Sequence, residues 1–388
     1  MPRRNKRGNG EGSVYQREDG KWIGAITVAG RRRVVYGRTR QETAQKVGRL
    51  LEAATQGTLP EPGRLTVGAY LSQWLETVAK PKVRPRTYDG YGVNIRNHIL
   101  PALGSVLLAR LTPQLVQRLI NDKLEAGLNP KTVSYIRQVL RTAIEDAVRW
   151  NLVSHNVVSV VPAPRQVRST IRPLEPEQIG VFLDAVSGRR LEALYVTALA
   201  LGVRQGEALG LKWSDIDMTA GRMRIQRQLQ RSAAGLHFVE PKTDRARRVL
   251  DLPPTVVTAL ADHKRRQWLE KLVAGSNWKE NDLVFPTSIG TPLDARGVVR
   301  DFRDTIRSTD LPPIRFHDLR HSCATMLLVQ GVPARVVMDI LGHSEISLTM
   351  DTYTHVVPGL RQEAAAQMEK LLVFRRTDLR REPAELES

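Results

Sequence analysis

Six side chains spread from Arg204 to Tyr353 have the types needed to work on a phosphodiester: Arg204, Lys242, His317, Arg320, His343 and Tyr353. Attack at a phosphate builds negative charge on its nonbridging oxygens, so catalysis depends on donors fixed around that position. Arginine suits the role because its guanidinium stays charged and grips phosphate oxygens two at a time, which a flexible lysine does less well. Histidines add hydrogen bonds and carry protons near neutral pH. A tyrosine hydroxyl, with an ordinary pKa of about 10, is a weak nucleophile at neutral pH until cations and a base activate it.

Taken singly, these residues also have plain structural readings. Arg204 with Glu207 three positions on has the spacing of a surface helix ion pair. Lys242 shares a stretch with Arg245, Arg247 and Arg248 that could be solvated charge, and Tyr353 could fill a core. His317 and His321, four apart, match metal ligands on one helix face. Asp318 follows the first of them, where a zinc peptidase needs its general-base glutamate, and Arg320 would set a guanidinium beside the cation, so no metal is expected.

The elements that must hold these groups are read from composition and periodicity. The chain has 388 residues, enough for two or three domains with real cores, and its 41% hydrophobic content is ordinary for a globular protein. Lys plus Arg number 59 against 40 Asp plus Glu, a net +19 with a pI near 10.5, which implies a polyanionic partner, nucleic acid rather than a membrane surface. No stretch approaches the roughly 20 apolar residues of a membrane span, and Met1 to Gly12 lacks an apolar signal core, so a cytoplasmic protein is expected. The lone Cys323 excludes an internal disulfide and lies in an apolar helical run, where a buried thiol is expected.

Charge is concentrated at the N-terminus, where residues 1–50 hold 13 Lys or Arg against 4 Asp or Glu. Within them Ser13 to Arg17, Trp22 to Val28 and Arg33 to Tyr36 read as three strands separated by turns. Thr39 and Glu42 then form a capping-box signature ahead of a helix that runs to Gly57. A three-stranded sheet with Arg31, Arg32 and Arg33 on a turn has the form of a groove-reading module. After a Gly/Pro/Thr-rich linker, helical stripes recur at 67–78, 87–99, 112–126 and 130–150, a small bundle. Lys80, Lys82, Arg84 and Arg86, with Thr87, cluster where a loop and a helix N-terminus could grip phosphates; a solvated basic loop fits the spacing too. A proline-rich connector leads to a third, mostly helical α/β domain. It has helices at 176–186 and 191–202, and alternating segments, Met223 to Leu229 and Arg248 to Leu252, around Pro241-Lys242-Thr243.

The segments Leu201-Gly-Val-Arg-Gln-Gly-Glu207, Pro241-Lys-Thr243, His317-Asp-Leu-Arg-His321, Leu341-Gly-His343 and Tyr353-Thr-His355 resemble, in order, the motif series of tyrosine recombinases of the phage-integrase family. The resemblance covers the whole chain. It implies a multidomain, mainly α protein: an arm-site DNA-binding domain over 1–57 with a small sheet plus helix, a helical core-binding domain over 65–161, a catalytic domain over 171–375 and a basic tail over 376–388. Val203 stands where Leu is usual, and Asn156-Val157 replaces a frequent Asn-Pro, neither at a catalytic position.

By this resemblance Tyr353 is the nucleophile and becomes joined to a DNA 3′ phosphate. Arg204 and Arg320 hold the phosphate, His343 adds a hydrogen bond and His317 helps take the tyrosine proton. Lys242 protonates the leaving 5′ oxygen, and Glu207 orients the arginines. Thr243 and Arg245 join Lys242 as DNA contacts. The covalent link conserves bond energy, so no nucleotide or metal cofactor is implied. The implied partners are double-stranded attachment-site DNA, three further copies in a tetramer, an excision or directionality factor and a host DNA-bending protein. An amphipathic run through Leu360, Ala364, Met368, Leu371 and Leu372 could dock on a neighbouring copy or on its own domain. The expected function is site-specific integration and excision of a phage or mobile element. The alternatives are a DNA-binding regulator with the fold but no chemistry, and a type IB topoisomerase, for which a second DNA-binding module would be idle.

Overall fold

The structure, a computed structural model, describes residues 12–17, 20–28, 31–55, 64–166, 173–241, 247–342, 365–366, 368–369 and 372. The chain divides into two compact units, Met1–Val167 and Arg168–Ser388. In the first, β1 (Ser13–Gln16), β2 (Trp22–Val28) and β3 (Arg31–Gly37) form an antiparallel meander, backed by α1 (Arg40–Thr55). Gly24 pairs with Val14 and Val35 on the face toward α1. A Cβ at Gly24 would lie 2.3 Å from Val47, so helix and sheet approach this closely only over a glycine. The Thr39 hydroxyl accepts the Glu42 N–H at 3.1 Å. The Glu42 carboxylate reaches back to the Arg38 N–H at 2.9 Å.

The same unit holds a helical bundle: α2 (Val67–Trp74), α3 (Lys80–Lys82), α4 (Pro85–Asn94), α5 (Leu100–Leu103), α6 (Pro113–Glu125) and α7 (Pro130–Arg149). Thr66, Thr112 and Asn129 cap α2, α6 and α7 through their side-chain oxygens. Wide π-helical turns at Leu75–Ala79 and Ile95–Ile99 interrupt the pattern that the sequence presents as continuous helix. The aromatic core is satisfied at its polar tips. Tyr70 donates to the Ala143 carbonyl at 2.6 Å, and Trp74 donates to Asp146 at 2.8 Å while stacking on Tyr91.

In the second unit α8 (Pro176–Val186), α9 (Glu192–Leu201) and α10 (Gln205–Leu209) precede five strands: β4 (Ile216–Asp217), β5 (Arg222–Ile225), β6 (Gln228–Ser232), β7 (Gly235–Val239) and β8 (Arg248–Asp251). Helices α11 (Pro254–Ala274), α12 (Ala295–Arg307), α13 (Asp318–Val329) and α14 (Ala334–Leu341) follow. The run Met223–Leu229, which reads as one alternating strand, is split. Its first part pairs with β8 in a sheet ordered β4-β5-β8, and its end begins a separate β6-β7 hairpin. Helix α9 is buried on nearly all faces, which explains why its sequence carries no polar stripe. Around it Phe182, Tyr195, Phe302 and Phe316 form an aromatic cluster with centroids 5.5–6.3 Å apart. The chain is therefore mainly α, with a small antiparallel sheet at its N-terminus and a mixed, mostly helical C-terminal unit.

Candidate active site

The site begins at a turn only glycine fits. Gly202 ends α9 with φ of 60°, and a Cβ there would lie 2.4 Å from Leu341. The turn buries Val203 and delivers Arg204 in extended backbone immediately before α10. Glu207, one turn on and only 3% exposed, accepts the Arg204 backbone N–H at 3.0 Å and Arg204 Nη1 at 2.6 Å. The spacing of a surface ion pair thus belongs to a pair whose carboxylate is inside.

A second arginine arrives on α13. Arg320, itself 3% exposed, donates from Nη1 to the Gly202 carbonyl at 2.6 Å and from Nη2 to the Leu341 carbonyl at 2.7 Å. A third, Arg248, stands at the start of β8 with its side chain 7% exposed; it donates from Nε to the Ile340 carbonyl at 2.7 Å and from Nη2 to Glu207 at 2.9 Å. Arg204 Nη2 completes the set on the Gly342 carbonyl at 3.0 Å. Three guanidiniums therefore hold three successive carbonyls at the end of α14, where a helix leaves its carbonyls unpaired and its dipole favours cations.

Electrostatics follow from this packing. Burial works to raise the Glu207 carboxyl, but the guanidinium of Arg248, then that of Arg204, more than reverses it and holds the group below its ordinary range. His317 sits at the exposed entrance to α13, with its ring edge-on to His321 at 5.1 Å. Desolvation by the protein beneath it, then the Arg320 charge, lowers its pKa, so the ring is neutral and able to accept a proton at neutral pH. His321 is pushed down to about 4 by burial and then by His317. Asp318 fixes the corner by accepting from the Arg315 N–H at 2.7 Å and from its guanidinium. Cys323 is buried, its thiol pushed up to about 12 by that burial, and has no nucleophilic role. Among the described residues no group of three or more His, Cys, Asp or Glu is placed to hold a metal ion.

Of the residues singled out by sequence, Arg204, Glu207, His317 and Arg320 come together in this site. Lys242, Thr243, Arg245, His343 and Tyr353 lie outside the described residues, as does the basic tail; His343 directly follows Gly342. In the first unit Lys82, Arg84 and Arg86 are exposed and Thr87 is half-buried around the start of α4. Arg32 is exposed on β3 and donates to the Tyr15 hydroxyl at 3.1 Å, while Arg31 and Arg33 are placed on that strand by backbone alone. Sequence reasoning missed Arg248, which looked like part of a solvated basic run. Its signal was parity: it shares a strand face with the buried Leu250.

The Phage integrase family matches residues 172–359, and the Phage integrase, N-terminal SAM-like domain matches residues 66–124. A tyrosine recombinase XerC-like protein of Caldanaerobacter subterraneus subsp. tengcongensis is 30% identical over 380 residues, spanning 93% of this chain and 95% of the relative. An integrase of Saccharopolyspora erythraea is 28% identical, spanning 94% of this chain and 98% of the relative. Among solved structures, the Tn1549 transposon integrase in complex with transposon right end DNA is similar in fold, with a TM-score of 0.67 at 22% identity over 79% of this chain and all of that one. A lambda integrase tetramer bound to a Holliday junction matches with a TM-score of 0.56 at 19% identity, over 89% of this chain and 98% of that one.

Proposed function

The chain belongs to the phage integrase family of tyrosine recombinases, and from that premise we propose which of its residues cut and rejoin DNA. It is a site-specific DNA recombinase. Its substrate is a phosphodiester within double-stranded attachment sites. Arg204 and Arg320 bind the nonbridging oxygens of the scissile phosphate, where charge grows in the transition state. The phenolic oxygen of Tyr353 attacks phosphorus, a phosphotyrosine bond forms to the 3′ side, and the bond to the 5′ oxygen breaks. His317, neutral at neutral pH, takes the phenolic proton, Lys242 supplies one to the departing 5′ oxygen, and His343 hydrogen-bonds the phosphate. Attack by the 5′ hydroxyl of a partner strand reverses the step, so the bond energy is conserved and no nucleotide or metal is consumed.

One observation carries this reading. Arg204 and Arg320, from elements more than a hundred positions apart in sequence, are anchored on consecutive carbonyls of the stretch that runs into His343 and onward to Tyr353. That is how a folded chain can bring phosphate-binding cations and a nucleophile to one point despite their separation.

The chain is read as three working parts: an arm-site module over 1–57, a core-binding bundle over 65–161 and a catalytic domain over 171–375, followed by a basic tail over 376–388. Arg31, Arg32 and Arg33 serve the first, Lys82, Arg84, Arg86 and Thr87 the second, and Thr243 and Arg245 flank the catalytic lysine. Four copies act together on two duplexes, a reading supported by the tetrameric lambda integrase assembly. A directionality factor and a host DNA-bending protein complete the set of partners. No helix among the described residues is long and apolar enough to cross a membrane; the DNA acted on is read as that of a phage or integrative element in the cytoplasm.

The test uses labelled duplexes from the flanks of the gene, nicked near candidate cut sites to trap cleavage, with the wild-type protein and Tyr353→Phe. Wild type should give a covalent adduct on denaturing gels, and the variant should bind equally while giving none. An adduct of equal yield from Tyr353→Phe would remove Tyr353 from the mechanism. Tight binding without an adduct on proven recombination sites would return the regulator reading.

A further inference from the structure

Glu207 is one carboxylate shared by two guanidiniums. With Arg204 alone it would form an ion pair of zero net charge, and the arginine facing the phosphate would be spent on its own neighbour. Arg248 changes that balance. Its Nη2 takes Glu207 Oε2 at 2.9 Å, while Arg204 Nη1 takes Oε1 at 2.6 Å, so the trio retains one positive charge. The exposed member is Arg204, at 36%, and Arg248 at 7% cannot reach a DNA phosphate itself.

The second hand of Arg248 points the same way. Its Nε holds the Ile340 carbonyl at 2.7 Å, two residues before Gly342, whose own carbonyl is held by Arg204. It also stands at the first residue of β8, directly downstream of the segment that carries Lys242. A purely structural side chain on this inward strand face, in line with the buried Leu250, would be served by an apolar residue, because burying a guanidinium costs desolvation that an aliphatic chain avoids.

We propose that Arg248 is a positioning residue for strand cleavage: itself held in place through the Ile340 carbonyl, it shares Glu207 and so leaves Arg204 cationic toward the scissile phosphate. This rests on the recombinase reading of the same site and adds to it a residue that does not touch the substrate.

The test first locates the scissile phosphate from the wild-type adduct on nicked duplex, then measures single-turnover cleavage by the full-length protein and two variants. Arg248→Met keeps length and leaves Glu207 paired with Arg204; Arg248→Lys keeps a charge beside Glu207. Arg248→Met should cleave about 10- to 100-fold more slowly at saturating protein, with DNA affinity within about threefold of wild type, and Arg248→Lys should recover at least half of that loss on a logarithmic scale.

A second substrate separates positioning from general damage. With a methylphosphonate at the cut position the phosphate loses its charge, so a weakened Arg204 matters less, and the deficit of each variant should shrink by about tenfold or to nothing. If Arg248→Met does not fold, the Arg248→Lys deficit and its shrinkage on the methylphosphonate decide the matter. Cleavage at the wild-type rate by the folded variants, or the same deficit on both substrates, would overturn the assignment while leaving the recombinase reading intact. Absence of any wild-type adduct would instead defeat that reading itself.

Discussion

Replacing Glu207 with Gln tests the electrostatic root of the site. The carboxylate accepts the Arg204 N–H at 3.0 Å, Arg204 Nη1 at 2.6 Å and Arg248 Nη2 at 2.9 Å while only 3% exposed. Glutamine keeps one acceptor oxygen but turns an amide NH2 toward a guanidinium, donor against donor. Removing one partner of a buried ion pair typically costs ~3–5 kcal/mol. Arg204 can recruit water whereas Arg248 cannot, so the loss should lie near ~2–4 kcal/mol after that discount. For a unit of this size that corresponds to a fall in melting temperature of about 5–15 °C. Cleavage of nicked duplex should fall about 10- to 100-fold as both arginines shift. The sign with pH is fixed as well. The folded carboxyl lies below its ordinary 4.5, so its contribution is complete above that value and is lost as pH falls through the folded pKa. Glu207→Gln should therefore melt lower than wild type at neutral pH and converge with it in acid. A shift under about 2 °C at neutral pH with undiminished cleavage would refute the reasoning, since a buried carboxylate between two guanidiniums cannot be that inert.

Three further outcomes follow from the same contacts. In the proposed mechanism His317 takes the proton in its neutral form, and its pKa lies below 6.5, so the acid limb of the cleavage pH profile should have its midpoint below that value; a midpoint at or above 6.5 would show another group in control. His321, held neutral down to about 4, takes up a proton on unfolding, so its own contribution to stability should be complete above 6.5 and fall toward pH 4 by on the order of 1 kcal/mol per pH unit, and His321→Asn should make the acid-side fall less steep by that amount in denaturant titrations. Gly202→Ala meets both a left-handed φ and Leu341 at 2.4 Å; it should destabilise by about 2–4 kcal/mol, and near-wild-type stability would mean that the turn relaxes freely.

Much of this was legible in the residues because helices announce themselves by period. The stripe over Pro130–Arg149 and the one over Pro176–Val186 fold as read. Arg204, His317 and Arg320, which the fold brings together, could be singled out by type and motif, since few kinds of side chain suit a phosphate. The missed features share a cause: the signal was local and the partner remote. The π-helical turns leave the apolar pattern of α2 and α4 unbroken. The β6-β7 hairpin hides in a run whose alternation carries no mark of which strand will pair with which. Arg248 sits among other basic residues, and nothing local shows that its acceptors lie 41 and 92 positions away.

The grip of the three arginines on residues 340–342 falls on peptide oxygens, which every amino acid supplies. Evolution can therefore rewrite the side chain of Ile340 without editing the anchor, and Leu341 is constrained only as core and Gly342 only by its backbone angle. Related chains can differ in side chain at Ile340 while the three guanidinium contacts to this helix end are inherited unchanged. A library can vary the exposed positions of α14, Arg335, Val336 and Asp339, without touching the anchor, provided the buried Val337, Met338 and Leu341 and the three guanidinium donors are left alone.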